Sequence, residues 1–154
     1  MERFGEGELM APTVCLFATW LVARLVGLLG VEAVGDWQSS LRVGVAAMFV
    51  LTGLAHFGPP RRDMIAMVPP RLPRAPLLVT VTGVLELAGA VGLLVPATSM
   101  AAGICLALLL VVMFPANVHA ARSGGEFRGR PATPLGVRTV LQLVFLAAVL
   151  ASTA

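Results

Sequence analysis

Five apolar runs of about twenty residues each divide this chain, and that length is what one helical crossing of a bilayer needs. They occupy residues 12–31, 41–57, 77–95, 98–121 and 135–153. Short connectors between them carry nearly all of the charge. Only 12% of the 154 residues are charged, where a soluble domain has roughly a quarter. The mean hydropathy of +0.92 agrees. These features predict an all-α, polytopic membrane bundle of five crossings in one compact unit. A tail over residues 1–11 precedes the first crossing. That first run does not have the make-up of a cleavable signal, because three glutamates stand against one arginine before it and no A-x-A-like site closes it.

The basic balance is arginine throughout, since the chain has no lysine. A pI near 10.1 invites a nucleic-acid reading. No compact basic face with interleaved aromatics supports it, so nucleic acid is not an expected partner. The positive-inside rule accounts for the arginines better. With five crossings, Arg3, Arg61, Arg62, Arg71, Arg74, Arg122, Arg128 and Arg130 share one side, with Arg138 at its edge, and only Arg42 lies opposite. The N-terminus and the arginine-rich loops are then cytoplasmic and the C-terminus outside. An alternative lays residues 12–31 in the interface, with four helices spanning.

The connector over residues 58–76 holds six prolines and four arginines. A long regular helix is not expected there. The reading is a short interfacial helical turn around residues 63–67 followed by an extended hook. Residues 122–134 form a glycine- and proline-bounded loop.

One residue breaks the third run. Within "VTGVLELAGAVGLLVP", residues 81–96, Glu86 lies near the bilayer midplane, where a charge costs about 2.5–3.5 kcal/mol. It should face the bundle and find a partner or a proton. Gly83, Gly89 and Ala90 share its helix face and would let another helix approach closely. Arg24, about twelve residues into the first run, reaches a similar depth, so a buried Arg24–Glu86 pair is one reading. A carboxyl that handles protons in a lipophilic cavity is a second. A protonated Glu86 bonded to a backbone carbonyl is a third.

More polar groups gather near the arginine-rich surface: His56, Asn117, His119 and Gln142. Pro115 cannot donate to the carbonyl of Val111, and Asn117 just beyond is placed to repair the freed backbone. His56 reads either as a helix-end residue in the headgroup zone or as a catalytic or ligand-binding imidazole. His56 and His119 lie too shallow for a bis-histidine haem. No cluster of metal-ligand spacing occurs. Cys15 and Cys105 sit inside apolar runs at depths about 20 Å apart, so they read as packing residues and not as a disulfide.

Three stretches, "GLAHFGPPRRDMIAMVPPRLP", "TGVLELAGAVGLLVP" and "LLLVVMFPANVHAAR", occur in the order and spacing of the DoxX family of small bacterial integral membrane proteins, which this chain resembles over residues 41–150. The resemblance implies a four-helix membrane domain over residues 41–153, with residues 12–31 as an extra N-terminal helix. It sets the chain in the bacterial inner membrane. It places His56, Glu86 and Asn117 on signature positions and gives Arg24 no support. It also implies association with quinone or thiol redox chemistry. The chain carries no CxxC, flavin or nucleotide motif, so electron transfer would need a bound quinone or a redox partner subunit.

Three functions are open on these grounds. One is an accessory or small-molecule-binding subunit for lipid-phase redox chemistry, with Glu86 and His56 as the chemical groups and Asn117, His119, Arg24 and Gln142 as ligand contacts. A second is a stand-alone isomerase or cyclase in which Glu86 is the acid or base on a lipophilic substrate. The third is a non-catalytic scaffold or chaperone docking through its arginine-rich surface, alone or as an oligomer.

Overall fold

The structure, a computed structural model, describes residues 6–124, 126–127, 130–131 and 133–153, and side chains from Met10 onward outside 125–132. Arg3 and Arg128, and the side chain of Arg130, lie outside the described residues. The chain order is α1 (Glu6–Leu28), a single 3₁₀ turn (Glu32–Val34), α2 (Trp37–Ala55), α3 (Arg61–Met67), α4 (Ala75–Leu94), α5 (Ser99–Arg122), a two-residue strand pair β1 (Glu126–Phe127) and β2 (Arg130–Pro131), and α6 (Leu135–Thr153). Among the described residues, five helices are long and apolar enough to cross a membrane, which is the make-up of a multi-pass membrane protein.

The boundaries correct the sequence reading in places. α1 begins at Glu6 and carries Pro12 in its interior, so most of the expected tail is helix. Losing the one N–H at Pro12 does not stop a helix whose other bonds continue on both sides. The interfacial turn is a full α3 that starts two residues earlier than expected, directly after Pro60, where a fixed φ suits a helix start. The 122–134 loop contains a β pair with Glu126 opposite Pro131.

Helix ends follow local chemistry. Asp36 caps α2: its carboxylate accepts from the Ser39 hydroxyl at 2.6 Å and the Ser39 amide at 2.8 Å. The Ser39 hydroxyl first, then the Ser39 amide, hold the exposed Asp36 carboxyl below the ordinary carboxylate range. α4 opens with Arg74 in the left-handed region at φ 58°, which turns the chain sharply into Ala75-Pro76.

α2 packs on α1, α4 and α6, and α5 packs on α4 and α6. The shared core includes Leu16, Val45, Phe49, Leu93, Leu106 and Val149, none more than 2% exposed. Glycine decides two of these contacts. A Cβ on Gly44 would stand 2.7 Å from the Leu16 carbonyl of α1, and one on Gly53 would stand 2.9 Å from the Leu87 side chain of α4. Nine residues separate the two glycines, about half a turn out of phase at 100° per residue. α1 and α4 therefore lie on opposite faces of α2.

Away from these contacts the helices present apolar side chains outward: Met100, Ile104, Leu108, Val111 and Val112 of α5 are all exposed. Cys105 is exposed on this helix as well, not packed as expected, because only about one side of α5 faces a neighbour. Cys15 is half-buried, and both cysteines are free.

Candidate functional site

α2 ends early relative to α4. His56 caps α2, and its Cβ stands 2.6 Å from the position a Cβ on Gly83 would take. Gly83 and Glu86 are about 12 and 16 Å along α4 from its first residue, at 1.5 Å per residue. His56 is thus level with the carboxylate along α4 and 3% exposed. The Pro59-Pro60 step ends α2 before it reaches the level where α4 starts.

There α2 and α4 bring three side chains together. Thr52 and His56 are one turn apart on a single face of α2. The Thr52 hydroxyl donates to Glu86 Oε2 at 2.5 Å. His56 Nε2 stands 4.0 Å from Glu86 Oε1, and Glu86 is 3% exposed. His56 Nδ1 is 2.8 Å from the Thr52 carbonyl. A carbonyl can only accept, so Nδ1 carries the hydrogen and Nε2 is the ring atom free to take or release a proton. Thr52 fits either state of the acid. Its single hydroxyl hydrogen serves an ionised Glu86. Against a protonated Glu86 it can accept, and turn its hydrogen to the Phe49 carbonyl at 3.4 Å.

Glycines make the site compact. Gly83 lies under the His56 ring and the Phe57 ring, and Gly53 lies against Leu87 and the Cβ of Glu86. Arg61, half-buried at the start of α3, ties the outside of the site together. Its guanidinium donates to the His56 carbonyl at 2.9 Å, the Pro76 carbonyl at 3.1 Å and the Thr80 hydroxyl at 2.8 Å. The end of α2, α3 and the first turn of α4 are joined by that one side chain.

Arg24 is not the partner of Glu86. Its guanidinium donates to the carbonyl of Gly35, beyond the end of α1. Two facts exclude the pair. α2 stands between α1 and α4, and α1 ends at Leu28, which leaves Arg24 one turn from the end of its helix. Thr52 and His56 take the place expected of a partner, and Arg61 holds the turn behind them. The sequence signal for Thr52 was its i, i+4 spacing to His56; Arg61 looked like one more topology arginine.

Asn117, Gln142 and His119 do not join this site in any described side-chain contact. Asn117 Oδ1 accepts from Arg138 at 2.9 Å, and Arg138 also donates through Nε to the Thr133 carbonyl at 3.0 Å. Arg138, set by the sequence at the edge of the arginine-rich side, is 6% exposed and turned inward against α5. Gln142 donates to the Leu110 carbonyl at 2.6 Å, one residue before the carbonyl that Pro115 cannot serve. Gln142 therefore ties α6 to α5 one residue from the carbonyl that the proline frees, while Asn117 is turned to Arg138. His119 is half-buried and makes no side-chain hydrogen bond to another described residue. We expect Gln142→Leu to destabilise the bundle by about 0.6–1.7 kcal/mol, the range of cross-helix bonds in membrane proteins, read from unfolding in mixed micelles.

The class these elements define is a multi-pass helical membrane protein with a buried threonine–histidine–glutamate cluster. The family described as Domain of unknown function (DUF8561) matches residues 45–153, well over half of the chain, and the chain belongs to that family. The matched segment holds Thr52, His56, Glu86, Asn117, Arg138 and Gln142, while α1 with Arg24 lies outside it. No curated protein and no solved structure matches the chain.

Proposed function

We propose that this is a DoxX-like bacterial inner-membrane protein whose Thr52–His56–Glu86 cluster exchanges protons for lipid-phase redox chemistry, as an accessory or small-molecule-binding subunit. The three sequence stretches that resemble that family support the assignment. So does the pairwise packing, in which α2, α4, α5 and α6 each touch two others in a ring while α1 lies against α2. In this reading the ring is the four-helix core and α1 is an addition. The arginine-rich end faces the cytoplasm, following the positive-inside rule.

One observation carries the functional reading: a histidine and a glutamate, both 3% exposed, face each other at 4.0 Å with the histidine hydrogen committed on the far ring atom. A proton held between Nε2 and Oε1 can move by a small displacement of either side chain. A quinone carbonyl reduced by electrons from a partner redox subunit needs protons, and the cluster is built to pass one at mid-depth. Arg61 is spent on internal bonds, which weakens the scaffold reading of that surface.

The test is binding of a short-chain ubiquinone analogue to protein in nanodiscs, by equilibrium dialysis. Wild type should bind, and Glu86→Gln and His56→Leu should each weaken binding by about ten- to a hundredfold, the worth of one hydrogen bond to a charged group. Absence of binding in the wild type, or equal binding in both folded variants, would remove the reading.

A further inference from the structure

The interior of the bundle changes character along its length. Its apolar core is one cluster, with Val45 and Phe49 on α2, Ala90 and Leu93 on α4, Leu106 on α5 and Val149 on α6, none more than 2% exposed. On every helix of the ring the cluster lies toward the same end of the molecule: before Thr52 in α2, beyond Glu86 in α4, before Asn117 in α5 and beyond Gln142 in α6. That end is opposite the one that carries Arg61, Arg74 and Arg122. Among the described residues, the buried charged or titratable groups are His56, Glu86 and Arg138, and all three lie on the arginine-rich side of the cluster.

The two directions away from Glu86 therefore differ. Toward the far end, about 12 Å of α4 remain before it stops at Leu94. Over that length the interior is the apolar cluster, and water does not settle where it finds no polar partner. The buried serines at the far rim add no path, since Ser99 and Ser152 donate to the Pro96 and Val149 carbonyls of their own segments. Toward the arginine-rich end, α2 stops at His56 and α3 packs against α4 and α5 instead. α2 buries Val45, Ala46, Met48 and Phe49, whereas α3 buries none of its residues. Polar groups follow one another on that side. His56 Nε2 is 4.0 Å from the carboxylate, the half-buried Thr80 hydroxyl and Arg61 guanidinium are 2.8 Å apart, and Arg62 beyond them is exposed. Of the other charged or titratable groups on the elements packed against α4, Asp63, His119 and Arg122 lie on that side too, and Arg42, at the far end of α2, is turned to the Ser152 carbonyl.

We propose that the His56–Glu86 pair exchanges its protons with the arginine-rich side of the membrane alone, and that the apolar cluster seals it from the other side. The inference rests on the proton-exchange reading of the site and adds the side from which the protons come.

The experiment is NMR of the Glu86 carboxyl carbon in sealed proteoliposomes, with the signal assigned by its loss in Glu86→Gln. The pH is stepped on one face at a time, and a protease-cleavable tag added after α6 reports which face is outside. A step on the arginine-rich face should carry the wild-type signal through its whole protonation change, and the same step on the other face should leave it unmoved. Leu93→Asn puts an amide into the cluster and should make the signal answer both faces. Leu106→Thr, a smaller change in the same cluster, should do the same. Val79→Thr, on the arginine-rich side of Glu86, should keep the one-sided response. A wild-type signal that follows the far face, or both faces alike, would overturn the proposal and leave the proton-exchange reading standing. A response that stays one-sided in both folded cluster variants would also overturn it. A signal that ignores both faces would remove the proton-exchange reading and this inference together.

Discussion

Gly83→Val is expected to cost about 3 kcal/mol or more and to leave a protein that inserts but does not hold α2 against α4. Even the first added carbon would sit 2.6 Å from the Cβ and 3.0 Å from the Cγ of His56, and 3.0 Å from the Phe57 ring. Those atoms belong to the end of a helix and a turn tied down by Arg61, so they cannot give way singly. The helices would have to separate along the line that holds Thr52 against Glu86. Separation would also leave the carboxylate without its donor, adding the desolvation cost of a buried charge. The control is Gly136→Ala. There the new methyl meets nothing, and replacing glycine within a helix gains about 0.5–1 kcal/mol. The melting temperatures of the two variants in one detergent should move in opposite directions. Equal shifts would show that α2 and α4 do not meet at Gly83.

Arg61→Met should cost about 2–3 kcal/mol. The loss is nearer one charge-assisted bond than three, because Arg61 is half-buried and water can replace part of what it leaves. Its effect should be local before it is global. Without the fork that joins the His56 carbonyl, the Pro76 carbonyl and the Thr80 hydroxyl, α3 and the hook after it lose their main polar tie to α4. Trypsin should then cut at Arg62, Arg71 or Arg74 at temperatures where wild type resists. Arg61→Lys should protect little better than Met, since an ammonium cannot span three acceptors that a planar guanidinium reaches together. Full protection by lysine would mean that the charge alone matters and the fork does not.

The two variants act on one junction, and its geometry separates what could be read along the chain from what could not. Glu86 was legible as a buried acid because a carboxylate inside so apolar a helix has to turn away from lipid. Its small-residue face was legible from the i−3 glycine. His56 was marked as a candidate and not joined to Glu86, since their meeting depends on how far α2 slides along α4. Arg24 failed for a different reason. Depth was counted along one helix at a time, and depth does not say whether another helix stands between two residues. Arg138 and Asn117 were each noticed and never joined, because α5 and α6 are linked by a loop whose course is not written in its composition.

What the chain determined by itself is its solvent. Long apolar runs bounded by arginines require helices that satisfy their own backbone in lipid, and they put the charged connectors at the surfaces. That follows from length and polarity alone, which are properties of each segment taken singly. Which buried groups meet is a property of pairs. Only the packing of α2 between α1 and α4, set by Gly44 and Gly53 on its two faces, gave Glu86 to Thr52 and His56 and sent Arg24 to the carbonyl of Gly35. Shape complementarity between helices chose those partners, and no count along a single helix contains it.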